Sequence, residues 1–137
     1  MVRHYGEETL AAAIQTPAHA RYIQWLHFAE GTAAYPLITR YLLSVDDNQG
    51  CFLGEFARAQ MTEVLSFVND ELANKDYLTG EQFTGADVLN AFVFEKVGEA
   101  RGLSHFPHIE SYLQRILARP AAQKAESLER EYDQEES

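Results

Sequence analysis

Apolar residues recur at three- and four-residue spacing along most of the chain, and no run alternates long enough to suggest a strand. The first long element starts at Thr16-Pro17, a threonine N-cap followed by proline at the first helical position, where its missing N–H costs nothing. Tyr22, Trp25, Leu26, Ala29, Ala33 and Leu37 then form one stripe. The pattern continues to about Val45, with a kink expected at Pro36, which cannot donate to the carbonyl of Thr32. Asp46-Asp47-Asn48-Gln49-Gly50 breaks it in a turn. A second long helix is predicted over about Phe52 to Ala73, with Leu53, Ala57, Met61, Val64, Leu65, Val68 and Leu72 along one side. Two long amphipathic helices joined by a short polar turn pack as an antiparallel pair.

The strongest local signal follows. Thr84 and Asp87 have the spacing of a capping box, and Phe83 with Val88 has that of a hydrophobic staple. Beyond them Val88, Leu89, Ala91, Phe92, Val93, Phe94 and Val97 cover almost the whole circumference, which predicts a central, buried helix ended by Gly102. Pro107 opens a further helix carrying Ile109, Tyr112, Leu113, Ile116 and Leu117, and Pro120 opens a last short one. Residues 1–14 suggest one or two helical turns with Leu10 and Ile14 as their only strong apolar points. The expected fold is all-α, a bundle of about five helices.

A length of 137 residues suits one domain able to bury about two-thirds of its unfolded surface. Eleven basic against 21 acidic residues give a net charge of −10, which repels phosphate backbones and anionic lipids and argues against nucleic acid or membrane as partners. Half of that charge lies from Glu126 onward, so residues 127–137 read as a solvated, disordered acidic tail. Cys51 is the only cysteine, and with no signal-like or spanning apolar run the expected compartment is the reducing cytoplasm.

Few residues suggest chemistry. On the first helix His27 and Glu30 are three apart and able to pair, and Phe28 and Tyr35 are the aromatic residues that fall outside the core stripe. His105 and His108 make a poor metal pair without a cysteine or a fixed carboxylate, so no metal is expected. Cys51 begins the second helix, where the dipole lowers a thiol pKa, but a buried, inert thiol is the better expectation.

The loop and cap Tyr77-Leu78-Thr79-Gly80-Glu81-Gln82-Phe83-Thr84-Gly85-Ala86-Asp87 resembles the segment that opens the core helix in the C-terminal domain of glutathione S-transferases of bacterial type. Residues 20–30, 106–113 and 119–125 agree in order, so the resemblance covers roughly residues 1 to 126. It implies a helical domain over residues 16–126, preceded by a remnant linker in residues 1–15. There the run Val2-Arg3-His4-Tyr5-Gly6 resembles the last turn of the family's thioredoxin-like N-terminal domain. That domain holds glutathione and activates its thiol, so the resemblance implies no catalytic residue here and leaves glutathione as a candidate ligand only. It further implies His27, Phe28, Glu30 and Tyr35 as substrate-binding residues, with His27 reaching glutathione held by a neighbouring subunit and Tyr35 walling a pocket for a hydrophobic molecule. The expected role is a binding or assembly module, forming a homodimer or meeting another partner through the first long helix. The alternative is a truncated or split transferase that conjugates glutathione to hydrophobic electrophiles.

Overall fold

The computed structural model describes residues 10–135, apart from Asp46 and Gln49. The reading of residues 1–9, including the Val2–Gly6 turn, lies outside the described residues. In chain order the helices are α1 (Pro17–Phe28), a π-helical segment (Ala29–Ala33), α2 (Ala34–Val45), α3 (Phe52–Leu72), α4 (Gly85–Arg101), α5 (Pro107–Leu117) and α6 (Pro120–Glu135). No strand forms among the described residues, and Tyr77 and Gly80 make one isolated antiparallel bridge.

The first long helix runs from Pro17 to Val45 as expected, but its irregularity falls upstream of Pro36. Ala29–Ala33 widens into a π turn, in which the Ala34 N–H reaches back five residues to the Ala29 carbonyl. One extra residue in a turn rotates everything after it, and such bulges are a common way to re-aim a helix. Thr16 caps α1 as its type predicts, its hydroxyl oxygen accepting from the His19 N–H at 3.1 Å. The turn after α2 reverses the chain, so that α2 packs along α3 as one half of the predicted antiparallel pair.

On α3 the buried side carries Ala57, Met61, Val64, Leu65, Val68 and Leu72, while Leu53, predicted to join it, faces solvent. The core gathers that side together with Tyr22 and Trp25 of α1, Val93, Phe94 and Val97 of α4, and Ile109, Tyr112 and Leu113 of α5. Asn69 of α3 accepts the His108 N–H at 3.0 Å, satisfying one of the unpaired donors at the start of α5 from a neighbouring helix. Gly102 ends α4 at φ +74°, a backbone conformation open to glycine, and its N–H closes on Gly98 O at 2.8 Å.

Two expectations need correction. The central helix is not buried all round: Val88 is 49% exposed, Leu89 40% and Phe92 61%. The inner side takes Ala86, Asp87, Asn90, Ala91, Val93, Phe94 and Val97, so burial follows one helical face and the apolar residues on the opposite side stay uncovered. With Val88 turned outward, the Phe83 ring packs instead edge-on against Tyr77, at 5.6 Å between centroids, and under the Arg119 guanidinium at 3.8 Å. Second, α6 is not short: it continues to Glu135 through the residues expected as an acidic tail. Ala, Glu, Gln, Lys and Leu are strong helix formers, and Arg130 pairs with Glu126 one turn back. Its side chains beyond Ala122 are solvated as far as Tyr132.

Candidate functional site

The capping box is the most heavily bonded feature of the interior. Asp87 is fully buried and its carboxylate serves four donors. One oxygen accepts from the Thr84 N–H at 2.8 Å and the Thr84 hydroxyl at 3.0 Å. The other accepts from the Leu78 N–H at 2.9 Å and the Tyr112 hydroxyl at 3.2 Å. The cap of α4 thus ties together the preceding loop and α5. Burial, and then the negative charge of Asp87, push the Tyr112 phenol well above its ordinary pKa, so it stays a neutral donor. Three residues beyond Asp87, Asn90 donates to Ala86 O and to Trp25 O, each at 2.9 Å, which pins α4 to α1. This assembly has every mark of a structural post. Its donors and acceptors are spent on one another, apart from the buried Asn90 Oδ1.

The residues expected to bind substrate lie on the other side of α1 and beyond it. His27 is exposed in the last turn of α1 and Glu30 is exposed in the π turn, and among the described residues no hydrogen bond or ion pair joins them. Phe28 is half-buried, with its ring edge-on to Trp25 at 4.9 Å and tilted against Phe67 of α3 at 5.8 Å between centroids. It is part of the packing more than of a free wall. Tyr35 is 53% exposed at the start of α2. The structure thus does not gather the four into one pocket, and none of them lines either of two hollows in the surface. Cys51 occupies the N-cap position of α3 and is half-buried, not fully buried as expected.

One hollow is a polar dent of about 370 Å³ between the loop after α3 and α5, containing Lys75, Asp76, Glu81, His108 and Arg115. Its charges are largely matched locally: Lys75 binds Glu71 at 2.6 Å, and Arg115 bonds Asp76 O at 2.6 Å with the Asp76 carboxylate 3.5 Å away. The other is a trench of about 500 Å³ between α2 and α4, floored by Leu37, Ile38, Tyr41 and Ala100 and carrying Arg40 and Lys96. That volume lies in the range of small-molecule sites. Sequence reasoning missed Arg40 and Lys96. The available signal was Lys96, one turn beyond Phe92 on the same side of a helix rich in apolar residues.

Residues 54–120 match the family model for the glutathione S-transferase C-terminal domain. A comparison with curated protein sequences found no match. Among solved structures the chain is similar to a glutathione S-transferase from Actinobacillus pleuropneumoniae, at 26% identity and a TM-score of 0.79 over 92% of this chain and 58% of that protein. A glutathione transferase from Methylococcus capsulatus gives 25% identity and 0.76 over 93% and 63%. The Ure2p6 transferase of Phanerochaete chrysosporium, solved with oxidized glutathione, gives 21% and 0.80 over 90% and 59%, and shows the fold alone. The chain spans about three-fifths of the length of these proteins. With the family model, the helix order and the buried Thr84–Asp87 cap all in agreement, this chain carries the C-terminal helical domain of the glutathione S-transferases.

Proposed function

We propose that the chain works as a binding and assembly module, pairing with a second copy or another folded partner through the outer side of its first long helix. The observation that carries this is the end of the α2–α3 hairpin. Tyr41, Leu42 and Val45 of α2 stand exposed there, and so do Phe52 and Phe56 at the start of α3, Phe52 at 85%. The two phenylalanine rings stack on each other at 6.3 Å between centroids. Large apolar side chains gathered at one end of a protein with a net charge of −10 mark a contact surface, because water wets them at a cost that burial recovers. Sedimentation velocity at micromolar concentration tests the idea: a dimer or larger species is expected, reduced by Phe52→Ser, and a purely monomeric wild type would overturn it.

A second reading is favoured by the outer side of α4, where Val88, Leu89 and Phe92 are uncovered, and by the solved relatives being transferases. In this reading a thioredoxin-like unit docks on α4 and supplies the group that activates glutathione, while His27, Glu30, Phe28 and Tyr35 contribute contacts to ligands. Calorimetric titration with glutathione separates the two. Binding tighter than about 1 mM, roughly 4 kcal/mol, supports the transferase reading. No heat at two temperatures leaves assembly as the function.

A further inference from the structure

We propose that α6 is a docking helix whose occupant is a basic amphipathic helix of another protein, laid along Ala125, Leu128 and Tyr132 and held on its flanks by Glu129 and Glu131. From Pro120 to Tyr132 only Ala122 is not exposed, and α5 is the one described element that α6 packs against. About three turns of helix therefore stand clear of the core. Ala121, Ala125, Leu128 and Tyr132 follow one another at steps of four, three and four residues, which sets them in one seam of the kind that joins two helices side by side. Leu128 is 44% exposed and Tyr132 68%, so the fold leaves that seam largely uncovered.

The charges beside the seam choose the partner. Glu129 and Glu131 border it on opposite sides, at the positions whose charges decide which helix a seam accepts. Neither has an ion pair or hydrogen bond with a described residue. Lys96 of α4 feels the charge of Glu129 but is already held by both carboxylate oxygens of Glu99 at 3.0 Å. From Glu126 onward six carboxylates stand against Arg130, a net of −5, and Arg130 is itself bound to Glu126. A second copy would set the same −5 against this one, and nucleic acid or anionic lipid is repelled in the same way. A helix with lysine or arginine beside its own apolar seam turns that repulsion into attraction and covers Leu128 and Tyr132 at once. It also offsets the like charges of Glu126 and Glu129, three apart on a solvated helix of marginal length, so docking and helix formation support each other. This surface is separate from the α2–α3 end and goes beyond assembly there.

Three synthetic peptides of about three heptads form the test. One has leucine along its seam and lysine on both flanks, one has glutamate on the flanks instead, and one keeps the composition of the lysine peptide with its leucines scattered round the helix. In calorimetric titrations of the full chain the lysine peptide should bind at least tenfold more tightly than either of the others. Its margin over the glutamate peptide should shrink as salt rises. Methyl resonances of Ala125 and Leu128 should shift on titration, and Leu128→Ser should weaken the lysine peptide at least tenfold. Reversing both flanks, Glu129→Lys with Glu131→Lys, should move the preference at least tenfold toward the glutamate peptide, a gain that misfolding cannot imitate. Phe52→Ser should leave the peptide affinities unchanged, which keeps this surface distinct from the α2–α3 end. A scattered peptide that binds as tightly as the lysine peptide would reduce α6 to a nonspecific acidic surface and overturn the proposal. So would an unmoved preference in the reversed variant, shifts centred on Tyr41 and Leu42, or self-association of the chain that Leu128→Ser abolishes.

Discussion

The two sides of α4 differ sharply in burial. Its inner side holds Asp87, Asn90, Phe94 and Val97 among closely packed neighbours, with three other segments hydrogen-bonded to it through Asp87 and Asn90. Its outer side, about half a turn away, shows Val88, Leu89 and Phe92 to solvent. Both sides carry large apolar residues, and phenylalanine sits on both. What separates them is polarity in the right place: the buried side is the one whose carboxylate and amide can be satisfied by the loop before α4, by α1 and by α5. Hydrophobicity thus recruits the helix to the core, and hydrogen bonding decides which face goes in.

If so, substitutions on the inner side must be far more costly than matched ones outside. The largest loss is expected for Asp87→Ala, which leaves the Thr84 and Leu78 N–H groups without an acceptor in a dry interior and the Tyr112 hydroxyl with only the backbone carbonyl of residue 87, 3.3 Å away. Each orphaned donor costs about 1–3 kcal/mol, enough together to approach the margin of many small domains. Asp87→Asn keeps one acceptor oxygen and should fold with a partial loss, so urea titration of the pair yields a graded comparison. Phe94→Ala comes next: its ring is fully buried, and truncation should cost about 3–5 kcal/mol by the same measurement. A loss below 1 kcal/mol for either alanine variant would mean that the inner side is not the post described here.

That asymmetry also marks how far the sequence could be read. The helix starts at Thr16, Thr84, Pro107 and Pro120 were legible because capping chemistry is local: each depends on residues within one turn. The fold class and the α3 stripe were legible because periodicity records which side faces in. On α4 the stripe was too broad to choose a side, and the deciding contacts come from Leu78, Trp25 and Tyr112, up to 65 residues away. The π turn was hidden for a related reason, since Pro36 announced an irregularity without fixing where the helix would absorb it. As for the candidate site, the helix that carries His27, Phe28, Glu30 and Tyr35 was legible, yet the trench could not be foreseen. It needs Arg40 and Lys96 on two helices brought side by side by tertiary packing.

Tyr112 offers a milder cut through the inner side. Removing its hydroxyl in Tyr112→Phe deletes one hydrogen bond to a buried carboxylate but leaves Asp87 its other donors, so about 1.5–3 kcal/mol should be lost at neutral pH. The pH dependence gives the variant a second signature. Because the folded phenol holds its proton more tightly than an unfolded tyrosine, its contribution is complete below about pH 10, where the unfolded side chain titrates. Stability should then fall as pH rises past that value, since only the unfolded chain can release the proton. Urea titrations at pH 8 and pH 10.5 should show a steeper alkaline loss for wild type than for Tyr112→Phe. Equal slopes would mean that Tyr112 is not held as a neutral donor to Asp87.

The smallest expected effect is also the one that defines the outer side. Phe92→Ser removes a ring that is 61% exposed and makes no aromatic contact among the described residues, so the stability of the isolated chain should change by no more than about 0.5 kcal/mol. The same area of apolar surface lost from the core by Phe94→Ala is worth several times more, which is the comparison at its plainest. A loss above 2 kcal/mol in Phe92→Ser would show that the outer side is packed in solution, by a partner copy or by a segment outside residues 10–135. Dilution tells those apart. A loss that vanishes as protein concentration falls belongs to association, because only a bound partner makes stability depend on concentration. A loss that persists at every concentration belongs to the chain itself.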